Sequence, residues 1–419
     1  MMATEQPVAP TVLSGSARDP EKVMAELERA MDGSKLAPET GSAEKTAPAS
    51  TNGVADDAAT KEILGSEQTV PQSDSAPSEK AANGIATTLQ LPHSSADGPL
   101  KTLFDAPLDS TKPKPRSDLT SDQDAKYKTL LGHVEKWTDI PEASARGAKA
   151  APMTEEERMF CTRECLLRYL RATTWNVAQA ETRLKNTLIW RREYGVQRIT
   201  PDYISDENAT GKQLILGWDN EGRSCQYMRP SKQNTERTPR QIEHLVFMLE
   251  RSIDLMPPGQ ETLALLINFA ETKSGQGATL SQGKQTLNIL QNHYPERLGR
   301  ALVTNVPFYI WGFFKLITPF IDPLTREKIK FNEDSGLHVP REQLLRESGG
   351  HVAFEYDHDQ YWPALNGLCE TKRASMRRRW ERGGKRMGEL EFYLKGGQEK
   401  SLSQIEAESS QQTDGAPDA

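Results

Sequence analysis

Cysteine is scarce in this chain: Cys161, Cys165, Cys225 and Cys369 are the only four among 419 residues. So few, so spaced, make no disulfide framework and suit a reducing compartment. Cys161 and Cys165 stand four apart on an expected helix. Zinc would need further Cys or His ligands at suitable spacing, so the pair reads as small core residues. The N-terminus opens without an apolar run, so no secretory leader is expected. The chain also lacks a G-x-S-x-G nucleophile turn, an H-E-x-x-H helix and a phosphate-cradling glycine loop. No acid–base pair can be assigned among its seven histidines. These absences argue against an enzyme and against a resident cofactor or metal. Aromatics are 7% and hydrophobic residues 36% of the chain, with a mean hydropathy of -0.67. That is low for a chain folded from end to end.

The low average hides an asymmetry. Residues 1–125 hold 20 acidic and 11 basic residues, few aromatics and much Ala, Ser, Thr, Pro and Gly. Such a segment cannot bury enough apolar surface to offset its chain entropy, so residues 1–124 read as a disordered acidic tail. Within it, Val23, Met24, Leu27 and Met31 have helical spacing, a transient helix or a short partner-binding one. Residues 401–419 carry four acids and no base, a second acidic disordered tail. The segment between is mildly basic, a balance that suits an anionic membrane surface and is too weak for nucleic acid.

Long hydrophobic runs are absent but for one, residues 301–321 (ALVTNVPFYIWGFFKLITPFI). It has the length of a membrane span, yet Asn305, Pro307, Lys315 and Pro319 interrupt it. Thr304-Asn305 splits a short strand from a Phe/Trp-rich helix that Pro307 can start and Asp322-Pro323 stops. So apolar a helix must bury against protein, lipid, or each in turn; core packing is the ordinary reading of its aromatics.

Around this run the chain alternates. Helices are expected at 127–137, after a capping box at Thr154, and after Asn176 up to Gly195. Strands are expected at 213–218 and 224–229, joined by the turn Asp219-Asn220-Glu221-Gly222. A helix at 242–255, an apolar strand at 262–269 and a helix at 280–292 follow. Strands at 301–303 and 329–331, a helix at 341–347, and an alternating edge strand at Val352, Phe354 and Tyr356 complete an α/β fold with a mixed sheet.

The motifs along this pattern carry a resemblance. Arg168-Tyr169-Leu170-Arg171-Ala172 with Trp175-Asn176-Val177, then Trp190-Arg191-Arg192-Glu193-Tyr194-Gly195, are followed by Asn292-His293-Tyr294-Pro295-Glu296-Arg297-Leu298-Gly299. Asn305-Val306-Pro307-Phe308, then Pro319-Phe320-Ile321-Asp322-Pro323-Leu324-Thr325 running to Lys328-Ile329, and the pair Gly349-Gly350 come next. In this order they resemble the CRAL-TRIO lipid-binding family over about residues 125–365, in its fungal phosphatidylinositol-transfer branch. The stretch from Tyr356 to Leu365 is similar to members linked to azole tolerance and lipid homeostasis.

The resemblance implies an N-terminal helical lobe (125–199) and a lipid-binding lobe (200–365). In the latter, a mixed sheet floors an apolar cavity closed by a gating helix. A basic helical extension (366–400) follows. The gate and cavity would draw on Phe308, Trp311, Phe313, Phe314 and Phe320. Glu296, Lys328 and Thr325 match headgroup positions: a cation and a hydroxyl for phosphate, a carboxylate for ring hydroxyls or to hold the lysine. For any of the three in isolation, a surface ion pair, a solvated lysine or a turn residue would be the plainer reading.

One departure stands out. Two basic residues that approach the phosphate in founding members are Thr173 and Thr174 here, weak site candidates. The family's phosphatidylcholine contacts would fall near Thr262 and Ala264 in a mostly apolar run, so that second ligand is not expected. The bases from Lys372 to Arg386 wrap a whole helix, either solvated or an anchor for anionic lipids. The resulting expectation is a cytosolic monomer, peripheral on endomembranes. It would exchange phosphatidylinositol between anionic membranes or present it to a lipid kinase. The competing expectation is a lipid-sensing scaffold whose cargo is a sterol or another hydrophobic ligand.

Overall fold

The computed structural model describes residues 98–273, 276–308, 311, 323–398 and 400–414. The tail expected over residues 1–97 with its short helix, and Phe313, Phe314 and Phe320, lie outside them.

The helical lobe starts with α1 (Ser121–Val134), opened by a capping box at Thr120. A small antiparallel hairpin follows, β1 (Asp139–Pro141) and β2 (Ala150–Pro152). The capping box at Thr154 starts α2 (Glu155–Phe160). Next come α3 (Arg163–Ala172) and α4 (Val177–Tyr194), the latter capped by Asn176 and ended by Gly195 at φ 75°. Leu130, Leu166, Leu170, Leu184 and Leu188 form this lobe's core, with both cysteines of α2–α3 fully buried beside them.

The second lobe is a five-stranded sheet in the order β3 (Gln213–Trp218), β4 (Ser224–Met228), β5 (Leu263–Asn268), β6 (Leu298–Thr304), β7 (Ile329–Phe331). β3 and β4 are antiparallel across the expected turn, where the Asp219 carboxylate accepts from the N–H of Glu221 and of Arg223 at 2.9 Å. The remaining pairings are parallel. Each parallel step needs a crossover, and α5 (Arg240–Asp254) and α6 (Leu280–His293) supply the first two. Neighbouring strands joined in sequence by right-handed crossovers put their helices on one face. The contacts agree: Gln282 of α6 donates to Gln241 of α5 at 2.7 Å.

The chain then runs through α7 (Pro323–Glu327) into β7, and later forms α8 (His358–Arg382) and α9 (Leu402–Asp414). Four expectations need correction. Residues 98–124 are not a tail: Leu100, Leu103 and Phe104 are buried in the main core, and Leu100 bridges Phe354. Phe354 therefore pairs with this incoming segment and Val352 with Leu345, as isolated bridges and not as an edge strand. Residues 341–347 form two 3-10 turns, Arg341–Gln343 and Arg346–Ser348, in place of one helix. Residues 402–414 form a helix whose Glu406 pairs with Arg386 at 2.6 Å. The first and last of these segments are ordered from elsewhere in the chain: Ala353 and Glu355 bond Leu100, and Arg386 bonds Glu406.

The bases of the extension resolve likewise. Arg373 bonds Asp254 at 2.9 Å, and Arg377 and Lys385 pair with Glu155 of the helical lobe. Arg378 and Arg382 face solvent. The cluster is mostly an internal tie, with a small exposed remainder.

Candidate functional site

In-register residues on paired strands share a face. One face carries Ile215, Gln226, Leu265, Ala301 and Ile329, and next to them Met228, Ile267, Val303 and Phe331. This face holds α5, since Ser252 Oγ donates to Gln226 at 3.0 Å and Gln213 meets His244 at 3.3 Å. The opposite face carries Leu214, Tyr227, Ala264, Leu266 and Leu302, where the Leu345 N–H reaches the Tyr227 hydroxyl.

The two faces are filled differently. Ala264 and Leu266 on the second face are 0% and 3% exposed. On the helix-bearing face, Leu265 and Ile267 of the same strand are only partly buried, although strands flank β5 on both sides. Ile329 and Phe331 of β7 are partly buried too. This is an apolar floor with accessible surface left on it. The segment expected to be the gate begins beside it. The Trp311 N–H donates to the Pro307 carbonyl at 3.1 Å, and its ring lies on Phe331 with centroids 4.7 Å apart. Phe308, between them, is 92% exposed, an unusual place for a large aromatic in a water-facing chain. The described surface also has a cleft of about 640 Å³ at the ends of β6 and β7, lined by Thr304, Asn305, Val306, Asn332, Glu333 and Asp334.

The expected headgroup residues sit at the opposite edge, where the parallel strands begin. Thr325 and Lys328 share one turn: the Lys328 N–H donates to the Thr325 carbonyl at 3.1 Å, and the Lys328 carbonyl accepts from Ala301 at 2.8 Å. Register puts Lys328 beside Arg300, with Glu296 four residues earlier in its chain. At about 3.3 Å per extended residue that is up to roughly 13 Å farther back along the chain. The structure joins Thr325 to Lys328 and places Glu296 apart from them. Glu296, at φ 56°, receives Arg171 Nε at 2.5 Å.

Arg171 belongs to a buried charge network that the sequence did not reveal. Its guanidinium also reaches Glu261 at 3.1 Å. Glu261 takes Arg168 at 2.8 Å and Arg116 at 2.5 Å. Arg168, 3% exposed, bonds Glu391 at 2.5 Å, and Arg297 donates to the Glu261 carbonyl at 2.9 Å. Burial works against the Glu391 carboxylate, but Arg168 and Arg297 outweigh it and hold its pKa below the ordinary range. Neighbouring Glu164 is pushed up to about 7 by burial and by the charge of Glu391. The i,i+3 spacing of Arg168 and Arg171 marks one helix face; nothing local marks Glu391, more than 200 residues away.

A second network explains two further motifs. Arg191 forks onto Glu250 at 2.7 and 3.0 Å, and the Tyr294 hydroxyl donates to the same carboxylate at 2.7 Å. Burial alone would raise Glu250; Arg191 brings it down to about 2. Arg192 binds Glu157 and the carbonyls of Ala151 and Pro152. Within Tyr294-Pro295-Glu296-Arg297, Glu296 thus bonds Arg171 of the helical lobe directly, Tyr294 braces the Glu250 carboxylate that holds Arg191 of that lobe, and Arg297 bonds within its own lobe at Glu261. Thr173 donates to the carbonyls of Tyr169 and Leu170 at its own helix end. Thr262 is held by Arg223 at 2.9 Å, and Ala264 faces away from the floor.

Comparison with known proteins agrees with this geometry. Residues 208–350 match the CRAL/TRIO domain and residues 126–186 the CRAL/TRIO N-terminal domain. A CRAL-TRIO domain-containing protein of Schizosaccharomyces pombe is 52% identical over 282 residues, 67% of this chain and 28% of that longer one. The phosphatidylinositol transfer protein PDR17 of Saccharomyces cerevisiae is 35% identical over 298 residues, 66% of this chain and 85% of that one. The SEC14 cytosolic factor of Kluyveromyces lactis is 28% identical over 215 residues, 44% of this chain and 69% of that one.

Proposed function

The chain belongs to the CRAL/TRIO family, and from that premise we propose that it is a lipid-binding and transfer protein. It takes phosphatidylinositol onto the apolar floor and exchanges or presents it at membranes. The observation that carries this reading is the uneven sheet: Leu214, Tyr227, Ala264, Leu266 and Leu302 are buried on one face, and the other keeps Leu265, Ile267, Ile329 and Phe331 partly accessible. Acyl chains withdrawn from a bilayer lose about 0.8 kcal/mol for each methylene left in water, and an incompletely filled apolar face offers them burial. The relative named as a phosphatidylinositol transfer protein supports the choice of headgroup.

In this reading Lys328 and Thr325 meet the headgroup phosphate from their shared turn. Glu296 accepts from ring hydroxyls while Arg171 holds it. Phe308 and Trp311 belong to the segment that covers the floor or meets the bilayer. The bound phospholipid is the only small molecule required; no metal, organic cofactor or nucleic acid enters, and no chemical step is catalysed. Among the described residues no helix is long and apolar enough to cross a membrane. A cytoplasmic monomer, peripheral on anionic endomembranes and able to present lipid to a kinase, fits the mildly basic centre of the chain.

The test is to extract and identify by mass spectrometry the lipids that co-purify with the full chain, with Lys328→Ala and Thr325→Val alongside. Phosphatidylinositol in the wild type, depleted in both variants, is expected. A sterol or other lipid in its place would sink the assignment of cargo, and equal phosphatidylinositol in all three would move the headgroup site elsewhere.

A further inference from the structure

Two guanidiniums of the buried charge network are held side by side by one carboxylate. Glu261 Oε1 takes Arg116 Nε at 2.5 Å, and Glu261 Oε2 takes Arg171 Nη2 at 3.1 Å. Like charges so close repel each other. The network as a whole is also short of negative charge. Arg116, Arg168, Arg171 and Arg297 face Glu261, Glu296 and Glu391, one carboxylate too few. Nearby Glu164, its pKa raised to about 7 by burial and by Glu391, cancels no more than Arg163 beside it adds. The excess surfaces at one end: side-chain exposure rises from 4% at Arg168 and 10% at Arg297 to 18% at Arg171 and 46% at Arg116.

Donors are left over at that end. Arg116 spends only its Nε, and Arg171 spends Nε and Nη2. Both terminal nitrogens of Arg116 and Nη1 of Arg171 are therefore unbonded among the described residues. Glu296 gives Oε2 to Arg171, and its Oε1 accepts no hydrogen bond among the described residues. Spare cationic donors beside a spare carboxylate oxygen fit a phosphorylated polyol. Phosphate oxygens accept from the guanidiniums, and a neighbouring hydroxyl donates to the carboxylate. The segment that carries Arg116 is fixed in place. Leu103 and Phe104 are buried in the main core, the Ala106 carbonyl accepts from Gln343 at 3.0 Å, and Lys114 pairs with Glu221 at 3.1 Å. Pro113 and Pro115 flank that lysine and restrict the backbone just before Arg116.

We propose that Arg116 and Arg171 bind a phosphomonoester carried on an inositol ring, with a ring hydroxyl on Glu296. The inference deepens the lipid-transfer reading and rests on it for the choice of ring. Lys328 and Thr325 keep the diester phosphate, and the paired guanidiniums take the second one. Arg116 thereby becomes the residue that sets a preference for phosphorylated over plain phosphatidylinositol.

The test is isothermal titration of the full chain with short-chain phosphatidylinositol, with each of its ring monophosphates, and with a soluble inositol bisphosphate. The best monophosphate should bind about tenfold more tightly than phosphatidylinositol, the return on one charge-assisted hydrogen bond. Arg116→Gln should remove that preference and leave phosphatidylinositol binding within about twofold of wild type. Arg116→Lys, which keeps the charge and loses the planar fork, should retain part of it. Thermal unfolding of both variants checks that they still fold. Equal binding of phosphatidylinositol and all its ring monophosphates by the wild type would overturn the inference. So would an equal loss for both kinds of lipid in Arg116→Gln, which would make Arg116 a structural tie. A soluble inositol bisphosphate bound as tightly as the lipid would support the site and make the free inositol phosphate its ligand; much weaker binding would make the lipid its source. If no inositol lipid binds but the soluble bisphosphate does, in a manner that needs Arg116, the lipid-transfer reading fails and the phosphate site stands. If nothing binds, both fail.

Discussion

Replacing Glu391 by alanine should cost about 3–5 kcal/mol of folding stability, the cost of stranding a buried charge. Glu391 is 8% exposed. It accepts Arg168 at 2.5 and 3.2 Å and the Thr162 hydroxyl at 2.8 Å, with Arg297 3.9 Å away. Its removal leaves the Arg168 guanidinium, itself buried, with Glu261 alone. Urea unfolding of the full chain at neutral pH measures the loss. The double variant Arg168→Met with Glu391→Leu should recover most of it, because both charges then leave together. A loss under about 1 kcal/mol in Glu391→Ala, or a double variant no better than the single one, would refute the reasoning. The pH dependence has two opposed signs. The folded pKa of Glu391 lies below its unfolded value, so its contribution is present above the ordinary carboxylate range and fades as pH falls through the folded value. The folded pKa of Glu164 is raised, so its contribution is full below 4.5 and is lost as pH rises toward about 7. Glu164→Gln should flatten stability across that upper window.

The two faces of β5 should respond unequally to truncation. Leu266→Ala, on the sealed face, should cost about 2–5 kcal/mol. Leu265→Ala, on the partly accessible floor, should cost clearly less in lipid-free protein, with the gap narrowing once lipid is bound; equal costs in the lipid-free state would mean the floor is packed. Gly350→Ala should lose about 1–3 kcal/mol in thermal unfolding, since a Cβ there would strike the Leu344 carbonyl, while Gly367→Ala, with open space around it and a helical backbone, should be neutral or stabilising.

Much of the fold was legible because its signals are local. A capping box spans four residues, so Thr154 announced α2. Asn176 and Gly195 bracketed α4 in the same way, and the strand at 213–218 could be read from the hairpin turn that follows it. Of the candidate site, Thr325 and Lys328 lie within three residues, so one local turn brings them together. Glu296 reads from the sequence as meeting a ring hydroxyl, holding the lysine or forming a surface ion pair. Its partner within the chain is Arg171, 125 positions earlier, beyond the reach of any local signal. The same distance hid the ordering of residues 98–119, whose polar composition resembles that of a tail, and the contacts of residues 383–400, expected only as a basic helical extension. Leu100 binds the chain at Ala353 and Glu355, and Met387 enters the helical core.

The sequence by itself determined the order of helices and strands, their caps and turns, and one aromatic run too apolar for water and too interrupted to cross a membrane. These follow from backbone preferences and side-chain periodicity over a few residues. Only the tertiary structure decided which apolar strand residues are fully buried and which stay partly accessible, since that depends on where the crossovers lay α5 and α6. It alone decided that Arg168, Arg171, Glu261 and Glu391 neutralise one another. A charge is buried at tolerable cost only when partners from distant parts of the chain arrive together, and no local pattern records that arrival.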